Sequence, residues 1–231
     1  MVYYSFLLPS RKRVSACTES IASICDTAVD KTCFEILLAF DDDDTESRDA
    51  VCAYCTERSI NYKVLTSERY GYRHLHKYVN RLCEIAEGEM LWLWNDDAKI
   101  LTQGWDEKIK PYGTDRALDF PNRHSVWIFP LVPAKYVKEM GHFSGQAHND
   151  TWVQVIFEKN LGLSALVPDV HLYHNRTDGA MNIDYSEVDG DIKDSSPEFY
   201  KQEYRQMRLD DTNKILAKFF PHRRPLGFSA E

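Results

Sequence analysis

The chain has 231 residues, and 43% are apolar, enough to build the core of a single α/β domain. A net charge of −8 disfavours binding of nucleic acid by broad phosphate neutralisation, although Arg11, Lys12 and Arg13 cluster, as do Arg223 and Arg224. No apolar run approaches the ~20 residues that span a bilayer, and the first residues lack the basic lead of a signal peptide, so a cytoplasmic protein without a transmembrane segment is expected.

Residues 2–8 have the composition of a first strand, followed by the loop Pro9-Ser10-Arg11-Lys12-Arg13. Residues 15–28 place Ala16, Ile21, Ile24 and Ala28 at roughly helical spacing. Phe34–Phe40 is a second apolar strand, ending in the run Asp41–Asp44. A helix over 46–58, a third strand over 62–65 and a helix over 72–87, opened by Gly71 and stopped by Gly88, are expected next. The fourth strand, Leu91-Trp92-Leu93-Trp94, delivers Asn95-Asp96-Asp97 to its C-terminal end. This β-α alternation predicts a parallel sheet with right-handed crossovers. No Gly-x-Gly-x-x-Gly or Gly-x-x-x-x-Gly-Lys-Ser/Thr is present, which disfavours a dinucleotide dehydrogenase or P-loop enzyme.

The second half is less regular. Gly104-Trp105-Asp106 starts a short segment, Ser125–Val132 has the pattern of a strand, and Pro133 suits the first turn of a helix ending near Gly141. A helix is expected over Asp150–Lys159, with Trp152, Val155 and Ile156 inward, then strand-like stretches at Leu163–Val167 and Val170–Tyr173. Residues 175–195 are polar and acidic, with the composition of a mobile lid over a donor. A final helix is expected over Pro197–Phe220. The six cysteines all lie in the first 83 residues. Cys52-x-x-Cys55 has no second pair or histidine at zinc spacing, so the cysteines are read as buried thiols in a reducing compartment.

Carboxylates at a strand's C-terminal end lie where open α/β sheets bind ligands. Mg²⁺ and Mn²⁺ favour such oxygen ligands, and Mg²⁺ is commonly held by one or two carboxylates plus phosphates. Asn95-Asp96-Asp97 therefore suggests a metal–diphosphate site and transfer from a nucleotide-activated donor. The alternative is a polar helix cap, which would explain neither the tryptophan-rich strand nor the acid and histidine farther on.

Over residues 2–175 the chain resembles the GT-A-fold glycosyltransferases, particularly the large inverting family. The resemblance rests on ordered landmarks: Pro9-Ser10-Arg11 after strand one, Asp41–Asp44 after strand two, Asn80, Gly88-Glu89-Met90, Asn95-Asp96-Asp97 in the place of Asp-x-Asp, Gly104-Trp105, His148-Asn149-Asp150-Thr151-Trp152, and the late His174. Two departures stand out: Asn95 replaces the first Asp of the metal motif, and Asn149 replaces the acid before Asp150. No Gln-x-x-Arg-Trp motif of processive synthases is present.

The resemblance implies a single Rossmann-like GT-A domain, a mostly parallel sheet flanked by helices. It would span 1–175 (nucleotide half 1–100, acceptor half 101–175), with a polar loop and C-terminal helix, 176–231, packing on it. It implies a metal-dependent, inverting transfer of one sugar from a nucleotide diphosphate donor, a UDP-sugar first, to an acceptor hydroxyl. Asp97 and His174 would hold Mn²⁺ or Mg²⁺, with His171 as a substitute ligand. Pro9, Ser10, Arg11, Asp42, Arg73, Asn95 and Asp96 would meet the nucleotide-sugar, with Arg69 and Tyr72 near the diphosphate. Asp150 would be the general base, with His148 the alternative, and Trp127 and Trp152 would lie on the acceptor side, although their apolar contexts suit the core. The rival readings are a nucleotidyltransferase, which would release pyrophosphate, and a nucleotide-sugar-binding module without turnover.

Overall fold

The computed structural model describes residues 2–122, 127–174 and 201–227. Strands β1 (Tyr4–Pro9), β2 (Phe34–Asp41), β3 (Tyr62–Ser67) and β4 (Met90–Leu93) alternate with helices α1 (Val14–Thr27), α2 (Thr45–Glu57) and α3 (Leu75–Ile85). The second half adds β5 (Ala98–Ile100), α4 (Trp105–Ile109), β6 (Ala117–Asp119), β7 (Leu131–Pro133), α5 (Ala134–Met140), α6 (Asn149–Gln154), β8 (Ser164–Leu166), β9 (Leu172–His174) and α7 (Gln202–Phe219).

The main sheet has seven strands in the order β3-β2-β1-β4-β7-β6-β8, and β5 and β9 form a separate antiparallel pair. β1 pairs in parallel with β2 and with β4, and β2 with β3. β7 runs against both β4 and β6, while β8 runs with β6. Only β7 is therefore reversed. The C-terminal ends of the other six strands share one edge, and the candidate site lies along it.

Alternation along the strands sends side chains to opposite faces of the sheet. Phe6, Leu8, Ile36, Leu38, Trp92 and Trp94 pack with Cys17, Ile21 and Ile24 of α1, Val51 and Cys55 of α2, and Trp105 of α4. Leu7, Leu37, Leu91 and Leu93 pack with α3, α5, α6 and α7 on the other face. Burial on both faces is why these strands are continuously apolar. The tryptophans are core residues with satisfied N–H groups: Trp92 Nε1 donates to Phe129 O at 3.0 Å, Trp94 Nε1 to Ser20 Oγ at 2.8 Å and Trp105 Nε1 to Ile24 O at 3.1 Å. α7 buries Ile215 and Leu216 in the second core, and its Lys214 Nζ donates to Met140 O of α5 at 3.0 Å.

Several local expectations are corrected. Of the strand expected over 125–132, residues 125 and 126 lie outside the described residues, and among the rest the strand begins only at Leu131. Pro130 has no N–H for a ladder, and the carbonyls of Phe129 and Pro130 are spent on Trp92 Nε1 and Leu93 N. The helix expected over 150–159 is α6 followed by a π-helical stretch, Val155–Asn160. The helix after Gly71 begins as a 3₁₀ turn, Tyr72–His74, and ends at Ile85, before Gly88. Gly88 serves a different purpose: a Cβ there would lie 2.6 Å from Ser5 Oγ and 2.7 Å from Ser5 N, so only glycine lets this segment pass β1. The expected lid, 175–195, and the first residues of the expected final helix, 197–200, lie outside the described residues.

Candidate active site

The loop after β1 organises the shared edge. Lys12 adopts a left-handed φ of 52°, and its N–H donates to Asp44 Oδ2 at 2.7 Å. On either side of it the two arginines diverge. Arg11 turns to the end of β2, where Nη1 donates to Asp41 Oδ2 at 2.8 Å and Nη2 to Asp43 Oδ2 at 2.9 Å. Arg13 turns to the end of β4, where Nη1 donates to Asp96 Oδ1 at 2.7 Å and Nη2 to Asp97 Oδ2 at 3.3 Å.

Asp96 is buried, and its second oxygen accepts from Ser10 Oγ at 2.8 Å. Burial pushes its carboxyl up to about 6, against the pull of Arg13 and Ser10, with the Asp97 charge adding to the rise. Asp97 behaves oppositely. Burial resists its ionisation, but His174 and Arg13 outweigh that and hold its carboxyl below the usual range. His174 arrives from β9, whose register sets it opposite Ala98, one residue beyond Asp97. Its Nε2 lies 3.3 Å from Asp97 Oδ1, yet that buried oxygen has no aligned hydrogen-bond donor. His171 sits at the far end of the same pair, exposed, with its backbone N–H on Thr102 Oγ1 at 2.8 Å, so it is not placed to replace His174.

The other expected residues are placed as follows. Pro9 ends β1 opposite Ala39, and Ser10 spends its hydroxyl on Asp96. Asn95 is half-buried, and its carbonyl accepts from Ala98 N at 3.1 Å and Ser20 Oγ at 3.2 Å, closing the turn that presents both aspartates. In the Asp41–Asp44 run Asp41 and Asp44 are both buried and paired, Asp41 accepting also from Tyr78 Oη and Asp44 from Lys12 N, while Asp42 is exposed. Arg73 is exposed in the 3₁₀ turn. Asp150 is half-buried in the first turn of α6, and its Oδ1 accepts from Thr151 N at 2.6 Å and Thr151 Oγ1 at 3.2 Å. α6 is tied to the edge of the sheet by Trp127 N, which donates to Gln154 Oε1 at 3.3 Å.

The acceptor-side expectation for Trp127 and Trp152 conflicts with their burial, at 4% and 0% exposed. Trp152 lies beneath α7, with Nε1 directed at Asp211 Oδ2 at 3.3 Å and the Arg208 guanidinium 5.1 Å from its ring centre. Neither ring offers a face to a sugar.

Two residues were missed. Arg13 entered the sequence reading only as part of a basic cluster, because its reach to Asp96 and Asp97 depends on β4 lying beside β1. Asp119 ends β6 on the same edge of the sheet, and burial pushes its carboxyl up to about 6. Its signal, a carboxylate closing a three-residue strand, is too short to recognise.

Known structures share this architecture. The chain superposes on S. aureus TarS residues 1–349 in complex with UDP with a TM-score of 0.61 and 15% identity, covering 94% of this chain and 73% of that one. TarS in complex with UDP-GlcNAc gives a TM-score of 0.58 at 14% identity, covering 94% and 73%. The mannosyltransferase PcManGT from Pyrobaculum calidifontis, in complex with GDP-Man and Mn²⁺, gives 0.63 at 13% identity, covering 93% and 73%. No protein-family model and no curated protein sequence matches the chain. The fold is of the GT-A glycosyltransferase type, as the ordered landmarks implied.

Proposed function

We propose that this protein is a metal-dependent glycosyltransferase that moves one sugar from a nucleotide diphosphate-sugar to an acceptor hydroxyl, with inversion. The observation that carries the reading is the Asp97–His174 pair at the end of β4: a buried carboxylate oxygen without an aligned donor, facing an imidazole nitrogen 3.3 Å away. A carboxylate and an imidazole suit Mn²⁺, and Mg²⁺ is the alternative. Among the described residues no group of three or more His, Cys, Asp or Glu is placed to hold a metal. Two protein ligands completed by diphosphate oxygens are the arrangement expected of a cation that arrives with its nucleotide. Once bound, the cation would neutralise charge on the departing diphosphate.

The chain's own groups divide the remaining work. Asp97 and His174 hold the cation. Asp96, fixed by Ser10 and Arg13, accepts from a donor hydroxyl. Pro9, Arg11, Asp42, Arg73 and Asn95 line the nucleotide end. Asp150 takes the proton from the acceptor hydroxyl as that oxygen attacks the anomeric carbon opposite the leaving diphosphate. The catalytic unit is 1–175, and α7 packs on it through Ile215 and Leu216. The neighbours' ligands support a UDP- or GDP-linked donor. The cysteines among the described residues form no disulfides, which supports a reducing, cytoplasmic setting. No helix among the described residues is long and apolar enough to cross a membrane.

The test is a donor screen. The chain is incubated with UDP-GlcNAc, UDP-glucose or GDP-mannose, with MnCl₂ or with EDTA, and the nucleotide product is identified. Release of a nucleoside diphosphate that needs the metal is expected. Release of the sugar 1-phosphate would instead indicate nucleotidyl transfer. Binding of a nucleotide sugar without turnover, unchanged in Asp150→Asn, would leave only a binding module.

A further inference from the structure

α7 does more than cover the second core. Tyr204, Arg208 and Asp211 follow at steps of four and three, so they share one face of that helix, and all three meet Trp152 of α6. The Tyr204 ring stands edge-on to the indole with centroids 6.4 Å apart, the Arg208 guanidinium lies 5.1 Å from the indole centre, and Trp152 Nε1 donates to Asp211 Oδ2 at 3.3 Å. Gly145 closes on the same ring: a Cβ there would lie 2.6 Å from Trp152 Cη2. Asp211 itself is 2% exposed, and two further groups converge on it. His142 Nε2, in the loop after α5, lies 3.3 Å from the Oδ2 that Trp152 uses. Lys214 Nζ donates to Oδ1 at 3.2 Å and also to Met140 O at the end of α5. A buried carboxylate persists only when it is paired, and the partners of this one make it the junction of α5, α6 and α7.

We propose that Asp211 is a positioning residue for the general base: by holding the Trp152 indole it fixes the rotation of α6 and, two residues earlier, the direction of the Asp150 carboxylate. The inference rests on the glycosyltransferase reading with Asp150 as base, and it brings the C-terminal helix into the catalytic apparatus. α6 has six residues and runs directly into the π-helical stretch, so its own hydrogen bonds define its orientation poorly. Its anchors therefore decide where Asp150 points: Gln154 Oε1 at its end, which accepts from Trp127 N, and the Trp152 indole at its middle. The groups assigned to the cation and the nucleotide stand on β1, β4, β9 and their loops, not on α6 or α7. Loosening the Asp211 junction is thus expected to slow proton transfer while leaving donor binding in place. A misplacement of about 1 Å costs a catalytic group up to about a hundredfold, and the loss of one anchor among several a fraction of that.

The experiment measures turnover by the full chain with Mn²⁺, as nucleoside diphosphate released from UDP-GlcNAc or GDP-mannose, and calorimetric binding of UDP or GDP. Asp211→Ala, Trp152→Phe, which keeps a ring but loses the N–H donor, and the two combined are compared with the unsubstituted chain, and melting curves confirm that each is folded at the assay temperature. Each single change is expected to lower kcat about tenfold, with the donor KM and the nucleoside diphosphate affinity within about twofold of the unsubstituted chain. The combination is expected to lose no more than either alone, because both break one contact. Asp211→Asn, which keeps an oxygen for the indole, is expected to recover most of the lost kcat. Where Asp211→Ala does not fold, Trp152→Phe and Asp211→Asn decide. Unchanged kcat in Trp152→Phe, additive losses in the combination, or nucleoside diphosphate affinity falling in step with kcat would overturn the positioning role. Asp150→Asn is measured alongside. Full turnover in that variant would remove the base reading and this inference with it, whereas its inactivity beside a fully active Trp152→Phe would remove this inference alone.

Discussion

Two acidic corners flank the loop after β1, and each is met by an arginine. At the β2 corner, Asp41 uses both oxygens: Arg11 donates to Oδ2 and Tyr78 to Oδ1. At the β4 corner, each Asp96 oxygen has a partner, Ser10 or Arg13, but Asp97 keeps a buried oxygen without an aligned donor opposite His174. In the richer run of charge, Asp41, Asp43 and Asp44 therefore close on their own chain, while the shorter Asp96-Asp97 pair retains coordinating capacity. What separates a structural carboxylate from one available to a ligand is the count of unused lone pairs, not the count of charges.

The sharpest way to break the comparison is Asp97→Ala. Loss of the proposed metal-holding carboxylate is expected to reduce kcat/KM about a thousandfold or more and to abolish the Mn²⁺-dependent rise in melting temperature expected with nucleotide. An Asp97→Ala protein that kept its turnover would move the cation elsewhere.

A second effect separates the two neighbouring acids by pH. In the folded chain Asp96 titrates near 6, above its ordinary 3.8, so the native state binds a proton more readily than the unfolded state between those values. Stability from this group is greatest below pH 3.8 and falls as pH rises through 6. Asp97, held below its ordinary value, contributes stability above pH 3.8 and loses it as pH falls through its native pKa. In metal-free buffer at pH 7.5, Asp96→Asn is expected to be more stable than the unsubstituted chain by up to about 3 kcal/mol, and Asp97→Asn less stable. By pH 4 the Asp96→Asn advantage should be largely gone. Urea melts at the two pH values check the signs, and matching signs for the two variants would show that His174 does not divide the pair as described.

At the β2 corner, Asp41 should respond in stability alone. Asp41→Ala leaves the Tyr78 hydroxyl and part of Arg11 without their partner, a loss of about 2 kcal/mol measured by urea melts. A loss of donor binding out of proportion to that destabilisation would show that Asp41 itself also touches the nucleotide.

How much of this was visible in the sequence follows from what each element depends on. β1, β2 and β4 are buried on both faces, so their own residues announce them as unbroken apolar runs. β5, β6 and β7 have three residues each and carry no periodicity; their pairing partners define them. Trp127-Ile128-Phe129 imitated a strand because apolar side chains were needed there for the core, although the backbone forms no ladder. In the site, Asp96 and Asp97 were legible because the strand before them points at one place. Arg13 was not, because its role depends on the left-handed turn at Lys12 and on the adjacency of β1 and β4. Trp152 was misassigned for a related reason: a large aromatic beside a candidate base suits stacking on a sugar until α7 is seen to cover it.

The smallest effect tests the comparison from its quiet side. Asp43 is exposed and pairs with Arg11, which lowers its carboxyl below the ordinary value, while Asp41 holds the same guanidinium from beneath. Exposed pairs of this kind are screened by solvent and contribute little. Asp43→Ala should therefore leave the melting temperature unchanged within error and nucleotide affinity within about twofold, because the buried Asp41 partner remains. If Asp43→Ala instead lowered stability as much as Asp41→Ala, Arg11 would be held from the solvent side. The saturation of Asp41 would then be incidental, and the distinction between the two corners would have to rest on His174 alone.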